Sequence, residues 1–213
     1  MMRIAIDGPG GAGKSTVAKA VAKALQIDYV DTGAIYRAVG YKIIQEGISL
    51  DDEKRLEEML ARTDIRFSRG SIYLDGEDVT GQIRSPEISV MASACSAVES
   101  VRKKLVSLQR EIGKSHHVVM DGRDIASNVM PDAEYKFFMT ADPKERARRR
   151  YLEMKKKGSI VTMDQVLEDI NQRDHNDMTR KLNPLRKAED AVEIDTTRMS
   201  IEEVTERILK EVK

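Results

Sequence analysis

A glycine-rich loop lies near the start of the chain, between an apolar segment and a helical pattern. It reads Gly8-Pro9-Gly10-Gly11-Ala12-Gly13-Lys14-Ser15-Thr16. Two glycines with four residues between them, followed by Lys and Ser, have the spacing of a Walker A phosphate-binding loop. Arg3 to Asp7 before the loop predicts a strand, and Gly13 to Leu25 predicts a helix. In this context, backbone amides and a helix N-terminus are expected to bind phosphate oxygens.

The two residues after the glycines have specific roles in such a loop. Lys14 would reach the β- and γ-phosphates of a nucleoside triphosphate, and the Ser15 hydroxyl would hold Mg²⁺. The same glycines also spell G-x-G-x-x-G, and Asp31 follows the second predicted strand, as in hydride-transfer enzymes that bind dinucleotides. The lysine and serine favour the triphosphate loop. A glycine turn without a ligand is disfavoured, because Lys at a helix start is electrostatically poor unless an anion is bound.

Length and composition narrow the class of protein. The 213 residues are 40% hydrophobic and 34% charged, which is typical of a soluble globular chain. No apolar run approaches the roughly 18 residues of a membrane-spanning helix. The 36 basic residues balance the 36 acidic ones, so neither a nucleic-acid polymer nor a membrane is an expected partner. The single cysteine, Cys95, predicts no internal disulfide and a cytoplasmic location.

The remaining chain predicts an α/β protein with one antiparallel insertion. Ile27 to Val30 is the second predicted strand, and Thr32 is expected to cap a helix that runs to about Gln45. Alternating strands with helices is the pattern of a parallel sheet covered on both faces. Alternating apolar and polar residues on either side of Arg69-Gly70-Ser71 and Asp75-Gly76 predict hairpins within about 63–85.

Further elements follow the hairpin region. The predicted helices cover about 86–114 with a break near Glu99-Ser100, 143–157, 163 to about His175, and 200 to the end of the chain. The predicted strands cover 118–120, 135–139 and 192–195. No repeat or long linker interrupts this pattern, so a single domain with an insertion is expected.

Arginines cluster in segments that follow the predicted strands. Arg37 comes one turn into the second helix, and Arg123 follows the buried strand that ends at Asp121. A charged helix carries Arg146, Arg148, Arg149 and Arg150, and a later segment carries Arg173 and Arg180. Ligands of open α/β sheets bind at the carboxyl ends of strands, and guanidinium groups bind phosphate oxygens in pairs. The pattern predicts several bound phosphates, including one on a small acceptor. The chain lacks the Asn-Lys-x-Asp segment of a guanine-reading switch, although a non-enzymatic nucleotide switch stays an alternative.

Taken together, these motifs resemble those of the bacterial cytidylate kinases, a family of nucleoside monophosphate kinases. The matching residues are 8–15, 31–37, 121–125, 145–150, Arg173-Asp174, Asp177, Arg180, Pro184-Leu185, Asp190-Ala191 and 195–197. They span almost the whole chain, and the hairpin insertion matches the enlarged monophosphate-binding domain of this family. One departure lies after Asp124-Ile125, where the family usually has Gly-Thr and this chain has Ala126-Ser127-Asn128.

The resemblance implies a role for each matching residue. Around the acceptor phosphate it places Arg37, Arg123 and Arg180, with Tyr36 and Thr32 as further substrate-binding residues. At the cytosine edge it places Ser93, Arg102 and Asp124, and at the sugar Arg173 and Asp177. For ATP it implies residues 8–16, Arg149 from a lid and Arg146 as a weaker candidate. The expected catalytic residues are Lys14, Arg123, Arg149 and Arg180, and the expected metal ligand is Ser15.

The resemblance also implies an architecture and a reaction. The fold would be a three-layer α/β P-loop NTP hydrolase-like fold with a five-stranded parallel sheet, a small antiparallel monophosphate-binding insertion and a short lid. One domain, 1–213, would comprise a core (about 1–32, 115–142 and 184–213), an insertion (about 33–114) and a lid (about 146–180), whose moving segment is Arg146 to Lys157. The protein, expected to be a monomer, would transfer the γ-phosphate of ATP to CMP or dCMP with Mg²⁺. The alternatives are a kinase for another monophosphate such as UMP, and the dinucleotide-binding oxidoreductase.

Overall fold

The computed structural model describes residues 1–68, 70–156 and 158–212. Three residues of predicted segments lie outside this part of the chain: Arg69 in a hairpin turn, Lys157 in the lid segment and Lys213 in the last helix. Two compact units are present, one formed by Met1–Tyr29 with His116–Lys213 and the other by Val30–Ser115.

Strands and helices alternate at both ends of the chain, and a small antiparallel region lies between them. In chain order the elements are β1 (Arg3–Asp7), α1 (Lys14–Leu25), β2 (Asp28–Asp31), α2 (Thr32–Gln45), α3 (Glu53–Ala61), β3 (Ile65–Ser68), β4 (Ser71–Leu74), β5 (Glu77–Asp78), α4 (Pro86–Cys95), α5 (Glu99–Ser115), β6 (Val118–Gly122), β7 (Tyr135–Thr140), α6 (Pro143–Lys156), α7 (Met163–Thr179), β8 (Val192–Asp195) and α8 (Ile201–Glu211).

A five-stranded sheet, counted over the described residues, carries the phosphate loop. Its order is β2-β6-β1-β7-β8, and β1 runs parallel to both of its neighbours. The register pairs Ile6 with Asp121 on one side and with Phe137 on the other. Because β1 is the middle strand, Asp7 and the loop after it lie at the carboxyl edge of the sheet, where open α/β sheets bind ligands. The predicted five-stranded parallel sheet is confirmed.

The core of the first unit is built by apolar residues at strand and helix spacing. Ile4 and Ile6 of β1 are fully buried, together with Val21 of α1. Val204 and Ile208 of α8, four residues apart, add one apolar helix face to the same cluster. This packing fixes α1, and therefore the phosphate loop at its N-terminus.

Helices α6 and α7 form a separate small apolar cluster in the same unit. Ala147, Val166 and Ile170 are its buried members. α7 extends to Thr179, whereas the sequence pattern had ended it near His175. The extension is polar apart from Met178, and it ends where Arg180 leaves helical geometry with ψ 141°. This extra turn brings Asp177 and Arg180 to the C-terminal end of one helix.

The second unit contains α2–α5 and the small sheet β3-β4-β5. Asp75 and Gly76 both have positive φ, 52° and 91°, as the predicted two-residue hairpin turn requires. α4 ends at Cys95 and α5 starts at Glu99, so the predicted break near 99–100 is confirmed. The prediction that Thr32 caps α2 is wrong, because the Asp31 carboxylate accepts the Ala34 amide instead.

Two elements had no prediction from the sequence. α3 begins at an Asp52 cap and buries one face through Leu56, Met59 and Leu60. A π-helical turn covers Ile125–Val129, at the departure from the family pattern. π-Helical turns are frequent at functional sites, and this one follows Asp124 directly.

Candidate active site

The phosphate loop has the geometry that its glycines predict. Gly8 has φ 144°, and a Cβ there would lie 1.9 Å from the Met139 carbonyl oxygen, so only glycine fits beside β7. α1 starts without a side-chain cap at Gly13 and without an acidic residue in its first turn. Its first N–H groups and the positive end of its dipole therefore suit an anion.

Lys14 is buried inside this loop, where its ammonium group donates a hydrogen bond to the Pro9 carbonyl at 2.8 Å. Burial, and then the charges of Arg123 and Arg173, lower the pKa of Lys14 far below its usual range. The carboxylates of Asp121 and Asp7 act in the opposite direction without cancelling the effect. Three cations thus lie close enough to repel one another, and a bound polyphosphate would relieve that repulsion.

Ser15 belongs to a hydrogen-bonded group of side chains, of which only Ser15 had a role predicted from the sequence. Its hydroxyl donates to Asp121 Oδ2 at 2.8 Å, and the Tyr29 hydroxyl donates to Asp121 Oδ1 at 2.7 Å. A hydroxyl and a carboxylate provide the hard oxygen ligands that Mg²⁺ prefers. In nucleotide-binding proteins, Mg²⁺ is commonly held by one or two protein oxygens, and phosphate oxygens and water supply the other ligands. Ser15 and Asp121 therefore fit the implied metal. No group of three or more His, Cys, Asp or Glu residues forms a separate metal site within the described parts of the chain.

Asp7, at the end of β1, holds the turn that follows Asp124. Its two carboxylate oxygens accept the Ile125 and Ala126 amides at 2.9 and 2.7 Å. Burial raises the pKa of Asp7 to about 7, although these two hydrogen bonds act against the shift. The carboxylate is therefore a structural anchor between β1 and the turn, and sequence reasoning had given it no role.

A cluster of charged residues lies at the ends of β6 and α7. Arg123 Nε donates to Asp177 Oδ2 at 2.7 Å, and Arg180 Nη2 donates to Asp124 Oδ1 at 3.1 Å. Burial alone would raise the pKa of Asp177, but the charges of Arg123, Arg173 and Arg180 outweigh it and lower that pKa. The structure thus brings together the predicted phosphate, sugar and base residues that belong to the first unit.

Two of these arginines also approach the phosphate loop. A Cβ on Gly10 would lie 3.6 Å from Arg123 Nη2 and 3.9 Å from Arg173 Cδ. Arg123 therefore lies beside the loop and donates to Asp177. This arrangement suits a cation that binds phosphate while its position is fixed by a carboxylate.

Arg146 ties the loop to α7. Its guanidinium donates to the carbonyls of Gly10 and Ala141, both at 2.9 Å, and pairs with Asp174 Oδ2 at 2.6 Å. Both members of the pair are buried, and Asp174 Oδ1 has no hydrogen-bond partner among the described residues. These contacts give the Arg146 side chain a clear positioning role.

We expect Asp174→Ala to lower the free energy of unfolding by about 2 kcal/mol, since it leaves the buried Arg146 charge with carbonyl acceptors only. Urea denaturation followed by circular dichroism measures the change. Asp169→Ala is the matched control, because Asp169 is exposed on the same helix. Equal stability of the two variants would contradict a stabilising ion pair between Arg146 and Asp174.

Arg149, the predicted lid arginine, lies against the loop that follows β8. Its Nη2 donates to the Thr196 carbonyl at 2.6 Å, and its Nε pairs with Glu145 at 3.0 Å. Thr196 Oγ1 lies within hydrogen-bonding distance of two carbonyls, that of Thr140 at 3.0 Å and that of Ala12 in the phosphate loop at 3.2 Å, and can donate to either. A single residue therefore separates Arg149 from the phosphate loop. Hydrogen bonds from Arg148 and then Arg149, against some burial, lower the pKa of Glu145 to about 2.

The second unit holds the remaining predicted substrate residues. Arg37 pairs with Asp31, the cap of α2, at 2.9 Å. Arg102 is buried, lies 5.9 Å from the centre of the Tyr36 ring and donates to the Ser96 carbonyl. Thr32 is buried, and Ser93 on α4 accepts the Ser96 hydroxyl at its carbonyl.

Comparison with known proteins identifies the family of the chain. A family model described as cytidylate kinase matches residues 4–213. The protein named cytidylate kinase from Caldicellulosiruptor bescii is 51% identical over 213 residues, covering 98% of this chain and 94% of that protein. The one from Caldanaerobacter subterraneus subsp. tengcongensis is 51% identical over 212 residues, covering 100% and 95%.

A solved structure bears on the fold. Shikimate kinase from Bacteroides thetaiotaomicron superposes with a TM-score of 0.52 at 14% identity, covering 99% of this chain and 98% of that one. At this identity the likeness concerns the fold alone, and it confirms the predicted P-loop kinase fold. The family model and the two relatives each span nearly the full length, so the chain belongs to the cytidylate kinase family.

Proposed function

We propose that the protein transfers the γ-phosphate of ATP to CMP or dCMP, giving the diphosphate and ADP. Membership of the family supports the substrate pair. The observation that carries the proposal is the approach of Arg123 and Arg173 to the phosphate loop around the buried Lys14. So many fixed cations at one loop suit a reaction between two phosphorylated molecules better than hydride transfer to a nicotinamide ring.

The reaction needs alignment and charge neutralisation more than acid–base chemistry. The acceptor is a phosphate oxygen that is already anionic, so no general base is required. Lys14 and the loop amides would hold the donor phosphates, while Arg123 and Arg180 would hold the acceptor phosphate in line. The Ser15 hydroxyl and the Asp121 carboxylate would hold Mg²⁺, which would supply positive charge to neutralise the β- and γ-phosphates. Arg149 would leave Thr196 and donate to the transferring group.

Further parts of the proposal concern segments and cellular context. Residues 33–114 would act as the monophosphate-binding insertion, and 146–180 as a lid that excludes water before transfer. Arg37, Ser93 and Arg102 stay predicted substrate contacts of the insertion. We place the protein in the cytoplasm as a monomer, where a buried thiol such as Cys95, whose pKa burial raises to about 12, stays reduced. Among the described residues no helix is both long and apolar enough to cross a membrane.

A coupled ADP-release assay tests the function directly. The purified protein is given ATP and Mg²⁺ with CMP, dCMP, UMP, AMP or GMP in parallel. The highest kcat/KM is expected with CMP or dCMP. A preference for UMP would support the alternative kinase, and retention on immobilised NAD without ATP-dependent turnover would support the oxidoreductase.

Base selection provides a sharper prediction. An ionised Asp124 can only accept hydrogen bonds, so it matches the amino group of cytosine and opposes the carbonyl of uracil. We expect Asp124→Asn to lose activity on CMP and to narrow the CMP to UMP ratio of kcat/KM by at least about tenfold. Steady-state kinetics on both substrates measure the ratio. An equal loss on both substrates would give Asp124 a structural role and contradict its role in base selection.

A further inference from the structure

Asn128 donates a hydrogen bond to the carboxylate that is proposed to read the base. Its side-chain nitrogen Nδ2 lies 3.0 Å from Asp124 Oδ2. The opposite orientation of the amide would place two acceptor oxygens against each other, so the NH₂ group is the one that faces the carboxylate. Arg180 donates to the other oxygen, Oδ1, at 3.1 Å. Each oxygen of Asp124 therefore accepts a hydrogen bond from a side chain.

The backbone fixes the position of Asn128. The amides of Asn128 and Val129 both donate to the Asp124 carbonyl, at 3.0 and 3.1 Å, which forms the π-helical turn. The start of the turn is anchored because Asp7 accepts the next two amides after Asp124. The Asn128 side chain thus returns onto Asp124 from a turn that is bound at both ends.

The contact lies directly after the departure of this sequence from the family pattern. Asn128 follows Ala126-Ser127, which stand where the family usually has Gly-Thr. Its neighbour Asp124 is buried, so an added donor there acts with little competition from water.

We propose that Asn128 is a specificity-determining positioning residue that fixes the plane of the Asp124 carboxylate toward the cytosine amino group. The proposal rests on the proposed CMP kinase activity. A carboxylate held on both oxygens presents its remaining lone-pair directions at fixed angles, whereas one that has lost the Asn128 donor can rotate more freely. Rotation lets the site accept a base whose hydrogen-bonding edge differs, so selectivity falls more than activity.

The experiment compares two substitutions at Asn128 with a control on the same turn. Asn128→Ala removes the donor, and Asn128→Asp keeps the shape but places a second carboxylate about 3 Å from the first, so that the two share a proton. Ser127→Ala is the matched control. kcat/KM for CMP and UMP is measured from pH 6.5 to 8.5, and melting temperatures check the fold of each variant.

We expect Asn128→Ala to narrow the CMP to UMP ratio about three- to fivefold at every pH, a factor within the range of one ordinary net hydrogen bond. Asn128→Asp should narrow it by about tenfold at pH 6.5, because the shared proton can be donated to the uracil carbonyl. As the pH rises and the proton leaves, the ratio should return only to the value of Asn128→Ala, because an ionised Asp at position 128 cannot donate to Asp124. The charged groups that face this pair include Arg180 at the end of α7 and Asp7 at the end of β1. The nucleotide phosphate titrates alike in both substrates and cancels in the ratio.

The outcomes separate this proposal from the proposed function. A wild-type enzyme that does not favour CMP would refute the function. A wild-type preference for CMP that both Asn128 variants retain at all pH values would overturn the role of Asn128 and leave the function intact. The role of Asn128 in selectivity would also be overturned if both variants lost kcat/KM equally on CMP and UMP, with a ratio that does not change with pH. Failure of both variants to fold would overturn it too, because Asn128 would then be a structural residue. Ser127→Ala should match the wild type.

Discussion

Lys14→Met should reduce phosphoryl transfer by about 10²-fold or more, the usual effect of removing a charge contact to a transition state. The ammonium group is buried in the phosphate loop and donates to the Pro9 carbonyl, from which it can turn toward a phosphate. Methionine has similar length and no charge. Because burial and two neighbouring arginines disfavour the charged form of Lys14, removing that charge costs the fold little. The melting temperature should therefore stay level or rise.

The matched control is Lys23→Met, which makes the same substitution at an exposed position of α1. Activity, melting temperature and ATP binding are measured for both variants. Near-normal turnover of Lys14→Met with an unchanged melting temperature would remove the phosphate-loop assignment. A large loss in Lys23→Met would show that the assay reports damage to α1 and not the chemistry.

Local patterns explain which parts of the fold were predictable. The loop from Gly8 to Ser15 has a fixed spacing, and the parallel strands beside it are short buried apolar runs, so both could be read from neighbouring residues. The hairpin turn at Asp75-Gly76 was equally local, because the two positions need positive φ. In contrast, α3 is mostly charged and buries one narrow face, which gave too weak a periodicity to recognise.

The parts of the site that escaped prediction depend on contacts between distant residues. Tyr29 and Ser15 meet Asp121 from positions 92 and 106 residues away. Asp7 binds amides 118 and 119 residues further along the chain. No spacing rule links such residues, because the sheet register alone brings them together. The sequence did signal that the segment after Asp124 is unusual, yet the contact of Asn128 required the π-helical turn.

Arg180→Ala is expected to lower kcat/KM for CMP by about 10²-fold while leaving ATP affinity almost unchanged. Arg180 is bound by the Asn183 carbonyl, donates to Asp124 and lies 3.7 Å from Asp177. Its removal leaves two buried carboxylates with less positive charge, so the acceptor phosphate would meet repulsion where it now meets a cation. The variant Arg148→Ala is the control, because Arg148 is exposed and pairs only with Glu145 among the contacts described above.

The stability of the Arg180 variant has a definite pH dependence. Asp177 has its pKa lowered in the folded protein below the usual 3.8, against the effect of burial, and Arg180 is one of three arginines that cause this. A carboxyl with a lowered folded pKa adds stability above the unfolded pKa and loses it as the pH falls through the folded value. The wild type should therefore be more stable than Arg180→Ala above about pH 4, with a difference that shrinks in more acid solution.

Kinetics with each substrate varied in turn distinguish an acceptor residue from a structural one. Arg180→Lys keeps the charge but loses the planar fork, so it should restore stability above pH 4 more than it restores kcat/KM for CMP. A fall in ATP affinity with unchanged CMP affinity would place Arg180 on the donor side instead. Full recovery of both stability and activity by lysine would mean that only charge, and not paired hydrogen bonding, is needed at this position. The split between the two readouts therefore tests whether the buried guanidinium binds the acceptor phosphate or only neutralises Asp124 and Asp177.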